Sequence, residues 1–159
     1  MKHIVGVADM RVSNAPGDVI VTHALGSCLG IAAHDPAAGV GGLLHVMLPE
    51  ARANRPKAEA NPFMFVDTGV PAFFRALYEA GGVKARLQVK VAGGANVHST
   101  PTDRFQIGKR NYVMLKKLLW KNSVLIDGAD VGGAAARTMY LEIGPGRVWL
   151  SSGGVEREL

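Results

Sequence analysis

The chain holds one cysteine. Cys28 follows a Leu25-Gly26-Ser27 run, and His45 lies further along the same apolar region. A thiol and an imidazole are the working groups of a cysteine hydrolase: the imidazole takes the thiol proton, and the sulfur attacks a carbonyl carbon. The sequence between them supplies the means of bringing them together. Two apolar runs, residues 29–33 and 40–46, flank Asp35-Pro36-Ala37-Ala38-Gly39, which is the pattern of a β-hairpin. Folding about Pro36 to Ala38 sets Cys28 opposite His45 to within a residue or two. Facing Cβ atoms on paired strands lie about 4.5–5.5 Å apart, and a slip of one residue would send the partner to the other face.

The Gly26-Ser27 turn puts Cys28 at the start of a strand. The backbone N–H groups of Ser27 and Cys28 are there the candidate donors to an oxyanion. Thr22, a β-branched strand residue, is the candidate orienter, its hydroxyl or carbonyl accepting a hydrogen bond from His45. A neutral orienter fixes the ring but lends less charge stabilisation than a carboxylate. If His45 supports the thiolate, alkylation of Cys28 should begin below the free-thiol pKa of about 8.5. The plain alternatives are a cysteine serving as a small buried hydrophobe and a packed core histidine. A metal site from Cys28, His23, His34 and His45 matches no familiar zinc spacing, and strand alternation turns His23 away from Thr22.

The flanking elements read as follows. Residues 4–7 and 19–24 form strands around a turn at Asn14-Ala15-Pro16-Gly17, with Thr22 and Ala24 on one face. Residues 49–62, polar and with three prolines, read as a mobile loop able to cover the site. Val66, Val70, Phe73, Phe74 and Leu77 recur at helical spacing up to Gly81-Gly82, with Pro71 either in the first turn or at a kink. Residues 86–91 form a strand running into Ala92-Gly93-Gly94-Ala95. That turn lacks the Lys-Ser/Thr of a phosphate loop and the spacing of a dinucleotide site. A polar loop follows (residues 98–106), then a helix to Lys121 and strands at 124–126, 138–143 and 148–150. Regular βαβ alternation is missing. The chain is therefore predicted to be α+β, residues 1–159 forming one domain.

Composition narrows the function. A hydrophobic share of 48% with 19% charged residues excludes a disordered chain. A net charge of +5 favours an acidic partner surface. Lys109, Arg110, Lys116, Lys117 and Lys121 read as a solvated helix face rather than a nucleic-acid surface. No apolar stretch is long enough for a membrane span, and the cysteine content suits a reducing cytoplasm.

The pieces Thr22…Leu25-Gly26-Ser27-Cys28, His45-Val46-Met47-Leu48-Pro49, Ala92-Gly93-Gly94-Ala95 and Ile107-Gly108-Lys109-Arg110-Asn111 resemble the CheD family, the chemoreceptor glutamine deamidases of bacterial chemotaxis. The resemblance implies a Cys–His–Thr triad at Cys28, His45 and Thr22. It implies a mixed β-sandwich flanked by two main helices, like papain-like cysteine hydrolases of the toxin deamidase type. It further implies action on glutamines, and on methyl-glutamate esters, of chemoreceptor cytoplasmic helices, with no cofactor. The alternative role it offers is binding and regulating a CheC-type response-regulator phosphatase. Gly26, Gly93, Gly94 and His98 are candidate substrate or partner contacts. One departure stands out: the family's Gly-Gly-Asn-x-Gly-Arg is here Gly132-Gly133-Ala134-Ala135-Ala136-Arg137. Pro71 is also atypical.

Overall fold

The hairpin strands are apolar at nearly every position, a pattern that requires cover on both faces. The fold meets that requirement with three layers. The structure, a computed structural model, describes residues 1–97 and 105–159. Within them lie strands β1 (Lys2–Val5), β2 (Asp9–Ser13), β3 (Val19–Leu25), β4 (Leu29–Asp35), β5 (Val40–Val46), β6 (Gln88–Gly93), β7 (Gly128–Val131), β8 (Arg137–Glu142), β9 (Val148–Ser152) and β10 (Val155–Glu158). The helices are α1 (Arg55–Ala60), α2 (Val66–Glu79) and α3 (Ile107–Lys121). One mixed sheet runs β1-β3-β8-β9-β10 and the other β2-β5-β4-β6-β7. The class is α+β.

Ile20, Leu25, Met139, Leu141 and Leu150 of the first sheet pack on Ala32, Leu43 and Ala92 of the second. The other face of the second sheet, with Ile31, Leu44, Val46 and Val91, is covered by Phe73 and Leu77 of α2 and Leu115 and Leu119 of α3. Burying both faces removes every residue of β4 and β5 from water. Among the described residues no helix is long and apolar enough to cross a membrane.

Several expectations need correction. The first strand lies at Lys2–Val5 rather than 4–7, because Ala8 takes a left-handed conformation (φ 56°) and sends the chain to the other sheet as β2, which was not foreseen. Residues 124–126 form no strand. The Asp127 carboxylate accepts the Val89 N–H at 2.7 Å and its own N–H donates to Val89, so pairing with β6 begins only at Gly128. The segment 49–62 carries helical turns rather than a structureless loop: Asn54 caps α1 and Asn61 caps the turn at Pro62–Met64, so Pro56 and Pro62 start helical turns instead of breaking them. Pro71 lies inside α2, which starts at Val66, not near Val70.

Candidate active site

The site is built where the chain crosses from one sheet to the other. β3 runs in the first sheet, β4 in the second, and Gly26 to Cys28 span the gap. Just before the crossing, β3 carries a bulge: its pairing with β8 shifts between Thr22 and Leu25, and Ala24 adopts φ 58°. An extra residue reverses strand alternation, so Thr22 and Leu25 both turn inward and are fully buried. Ala24 is exposed; the bulge is why it does not share Thr22's face as alternation predicts.

His45 stands on β5 in the facing sheet, and the two sheets are tied at this point. Thr22 Oγ1 donates to the Val5 carbonyl at 2.8 Å, and that spends its only proton. At its 2.7 Å contact with His45 Nδ1 the hydroxyl therefore accepts, and Nδ1 carries the ring proton. The neutral ring then presents Nε2 as a bare acceptor. Nε2 is buried and has no hydrogen-bond partner among the described residues, so Cys28 Sγ is not hydrogen-bonded to it.

The observed hairpin register sets Gly30 opposite His45 and leaves Cys28 two residues further along the same face. Diagonal neighbours of this kind have Cβ atoms roughly 7 Å apart. A shift of two keeps the face that a shift of one would lose. Gly30 bears no side chain between the two groups. Cys28 is half-buried and packs against the inter-sheet core.

Burial sets the electrostatics. It pushes the Cys28 thiol above its ordinary value, offset in part by its own backbone N–H. It lowers the His45 imidazole to about 4. Both shifts favour a neutral thiol–imidazole pair, because Thr22 brings no anion to stabilise an imidazolium. The expectation of a thiolate formed below the ordinary range is therefore reversed. His23 is exposed on the outer face, and His34 sits six positions along β4 from Cys28, roughly 20 Å away. The metal alternative thus loses its ligand set, and no cluster able to hold a metal occurs among the described residues.

The backbone around Cys28 is held on every side. The Cys28 carbonyl accepts the Gly94 N–H at 2.9 Å, and the Gly26 carbonyl accepts the Ala95 N–H at 2.8 Å. Gly93 (φ 107°) must be glycine: a Cβ there would stand 2.2 Å from the Cys28 carbonyl oxygen. Gly26, Gly93 and Gly94 thus act on the Cys28 loop, and Gly94 also lines a groove beside α3 with Lys109 and Tyr112. His98 lies outside the described residues. Arg137, buried, donates to the Gly93 carbonyl at 3.0 Å and the Gly132 carbonyl at 2.6 Å. Ala134, Ala135 and Ala136 are exposed, so the departure from the family pattern leaves Arg137's contacts in place.

Two further contacts come from Asn111 of α3, fully buried, whose Nδ2 donates to the Ser27 carbonyl at 3.0 Å and the Met47 carbonyl at 2.9 Å. Arg137 and Asn111 each fall in a segment quoted for the family resemblance, but the sequence assigns neither a role. Asn111 was legible in principle, since it shares the i, i+4 stripe of Leu115 and Leu119, where a polar residue needs a buried partner.

The chain matches the family described as CheD chemotactic sensory transduction over residues 47–152. It is 50% identical over 157 residues to a protein of Syntrophus aciditrophicus named probable chemoreceptor glutamine deamidase CheD 1, covering 98% of each chain. A protein of Solibacter usitatus with the name probable chemoreceptor glutamine deamidase CheD is 47% identical, over 98% of this chain and 92% of its own. One from Pyrococcus abyssi, also so named, is 39% identical over 91% of this chain and 87% of its own.

Proposed function

This chain belongs to the CheD family, and from that premise we propose that it is a protein-glutamine deamidase converting glutamines of chemoreceptor cytoplasmic helices to glutamate, with Cys28 as nucleophile, His45 as base and Thr22 as orienter. The observation that carries the site assignment is the relay from Val5 through Thr22 to His45, which leaves Nε2 bare on the face that also bears Cys28.

The chemistry proceeds from a neutral pair. As the sulfur approaches the carboxamide carbon, the thiol proton passes to Nε2, so charge develops only when the substrate oxygen becomes an oxyanion. The Cys28 and Ser27 N–H groups receive that oxygen. The C–N bond then breaks, His45 returns the proton to the departing nitrogen, and ammonia leaves. Water, its proton taken by the same Nε2, attacks the thioester carbon and releases glutamate and the thiol. The imidazolium formed in passing is stabilised only by the Thr22 hydroxyl at Nδ1. A net charge of +5 favours approach to an acidic helical bundle, more weakly as salt rises.

The likeness to papain-like hydrolases is part of the proposal and rests on a Cys–His pair set between two packed elements. The alternative reading is binding and regulation of a CheC-type phosphatase with little or no catalysis; capture of that phosphatase by Cys28→Ala would separate contact from turnover. The primary test is ammonia release from receptor cytoplasmic fragments. Cys28→Ala should abolish it, and undiminished release would refute the assignment.

A further inference from the structure

Asn111 takes no part in the proton transfers above, yet it is bonded to both segments that carry the reacting groups. One Nδ2 proton goes to the Ser27 carbonyl, directly before Cys28, and the other to the Met47 carbonyl, two residues past His45. Two carbonyls facing one amide can be satisfied only by its NH2 group, so the orientation of the side chain is fixed. Its Oδ1 is buried and has no hydrogen-bond partner among the described residues. A buried acceptor is given up so that both donors face the catalytic segments.

A peptide unit is planar and trans, so its C=O and N–H point in opposite directions. With the Ser27 carbonyl drawn toward α3, the N–H of the same unit, which is that of Cys28, is turned away from α3. The next unit is pinned independently, its Cys28 carbonyl accepting from Gly94 at 2.9 Å. Among the described residues no other backbone carbonyl takes the Cys28 N–H.

We propose that Asn111 is a positioning residue: by holding the Ser27 carbonyl, with Met47 as its second anchor, it aims the Cys28 N–H as the oxyanion donor. The hydrogen bond also polarises the Ser27–Cys28 amide and makes that N–H a stronger donor. This rests on the reading of Cys28 as nucleophile.

The test uses the full chain with Asn111→Asp, which keeps the shape and removes both donors. Asn111→Ala is the second variant; it leaves room for water and avoids a buried carboxylate. Deamidation of receptor fragments and alkylation of Cys28 by iodoacetamide are measured side by side. Alkylation displaces iodide from a saturated carbon and builds no oxyanion. The expected result is a kcat lower by about a hundredfold in both variants, with KM and the rate and pH profile of alkylation little changed in Asn111→Ala, the variant that adds no charge. An unchanged kcat in a folded variant would overturn the role, as would kcat and alkylation falling by the same factor. Cys28→Ala in the same assay separates the two layers. Turnover surviving in it defeats the nucleophile and this role together, whereas an inert Cys28→Ala beside fully active Asn111 variants defeats this role alone.

Discussion

Replacing Thr22 by Val removes one hydroxyl from a fully buried site and keeps the side chain's shape. In the native protein that hydroxyl donates to Val5 and accepts from His45 Nδ1–H, so a ring proton on Nε2 would set two acceptors against each other. An unsatisfied buried donor costs about 1–3 kcal/mol. The same quantity measures the preference for the Nδ1–H tautomer, and each 1.4 kcal/mol or so is tenfold. Without the hydroxyl the ring can carry its proton on Nε2, where it cannot take one from Cys28. We expect Thr22→Val to lose about 10- to 100-fold in kcat/KM and about 1–3 kcal/mol in stability. Thr22→Ser, which keeps the hydroxyl, should stay close to the native rate. Ammonia release from receptor fragments gives the rate, urea unfolding the stability, and nitrogen NMR of the imidazole the tautomer. A folded Thr22→Val with native kcat/KM would refute the reasoning, as would a native ring already protonated at Nε2.

Three other outcomes follow from the same structure. His45 is lowered from 6.5 to about 4 by burial, so the unfolded state takes up its proton first as pH falls. Stability should therefore be fully present above about 6.5 and decline toward pH 4, by on the order of 3 kcal/mol. Buried His34, shifted in the same direction, adds to that window; urea midpoints that do not change between pH 7 and 4.5 would contradict it. Cys28 should alkylate with a pH profile displaced upward from that of a free thiol, since burial raises it; a profile displaced downward would show an ion pair at rest. Gly93→Ala forces a Cβ to within 2.2 Å of the Cys28 carbonyl oxygen at φ 107°. It should lose 2 kcal/mol or more, a rough figure for left-handed strain with a backbone clash, and most of its turnover; native stability and rate would refute the clamp.

The hairpin was legible because Asp35-Pro36 and Gly39 punctuate two apolar runs, and burial on both faces explains why those runs do not alternate. The shared face of Cys28 and His45 was legible because a register error of two preserves it, whereas Thr22 reaches His45 from β3 of the facing sheet. The bulge at Ala24 was not readable, because alanine gives no sign of a positive φ. β2 was missed because Asp9-Met10-Arg11-Val12-Ser13 pairs only at a sheet edge, where none of its residues is fully buried. The thiol's shift was misjudged because pairing was weighed without desolvation. The clamp through Asn111 and Arg137 depends on contacts between residues far apart in sequence, which periodicity does not encode.

The most direct measurement is capture of the acyl-enzyme. Mixing the protein with a receptor fragment bearing a reactive glutamine, quenching in acid and mapping the adduct by mass should locate the fragment, less ammonia, on Cys28. The adduct should be absent from Cys28→Ala. Glutamate formation at the native rate by Cys28→Ala, or an adduct mapped to another residue, would contradict the mechanism.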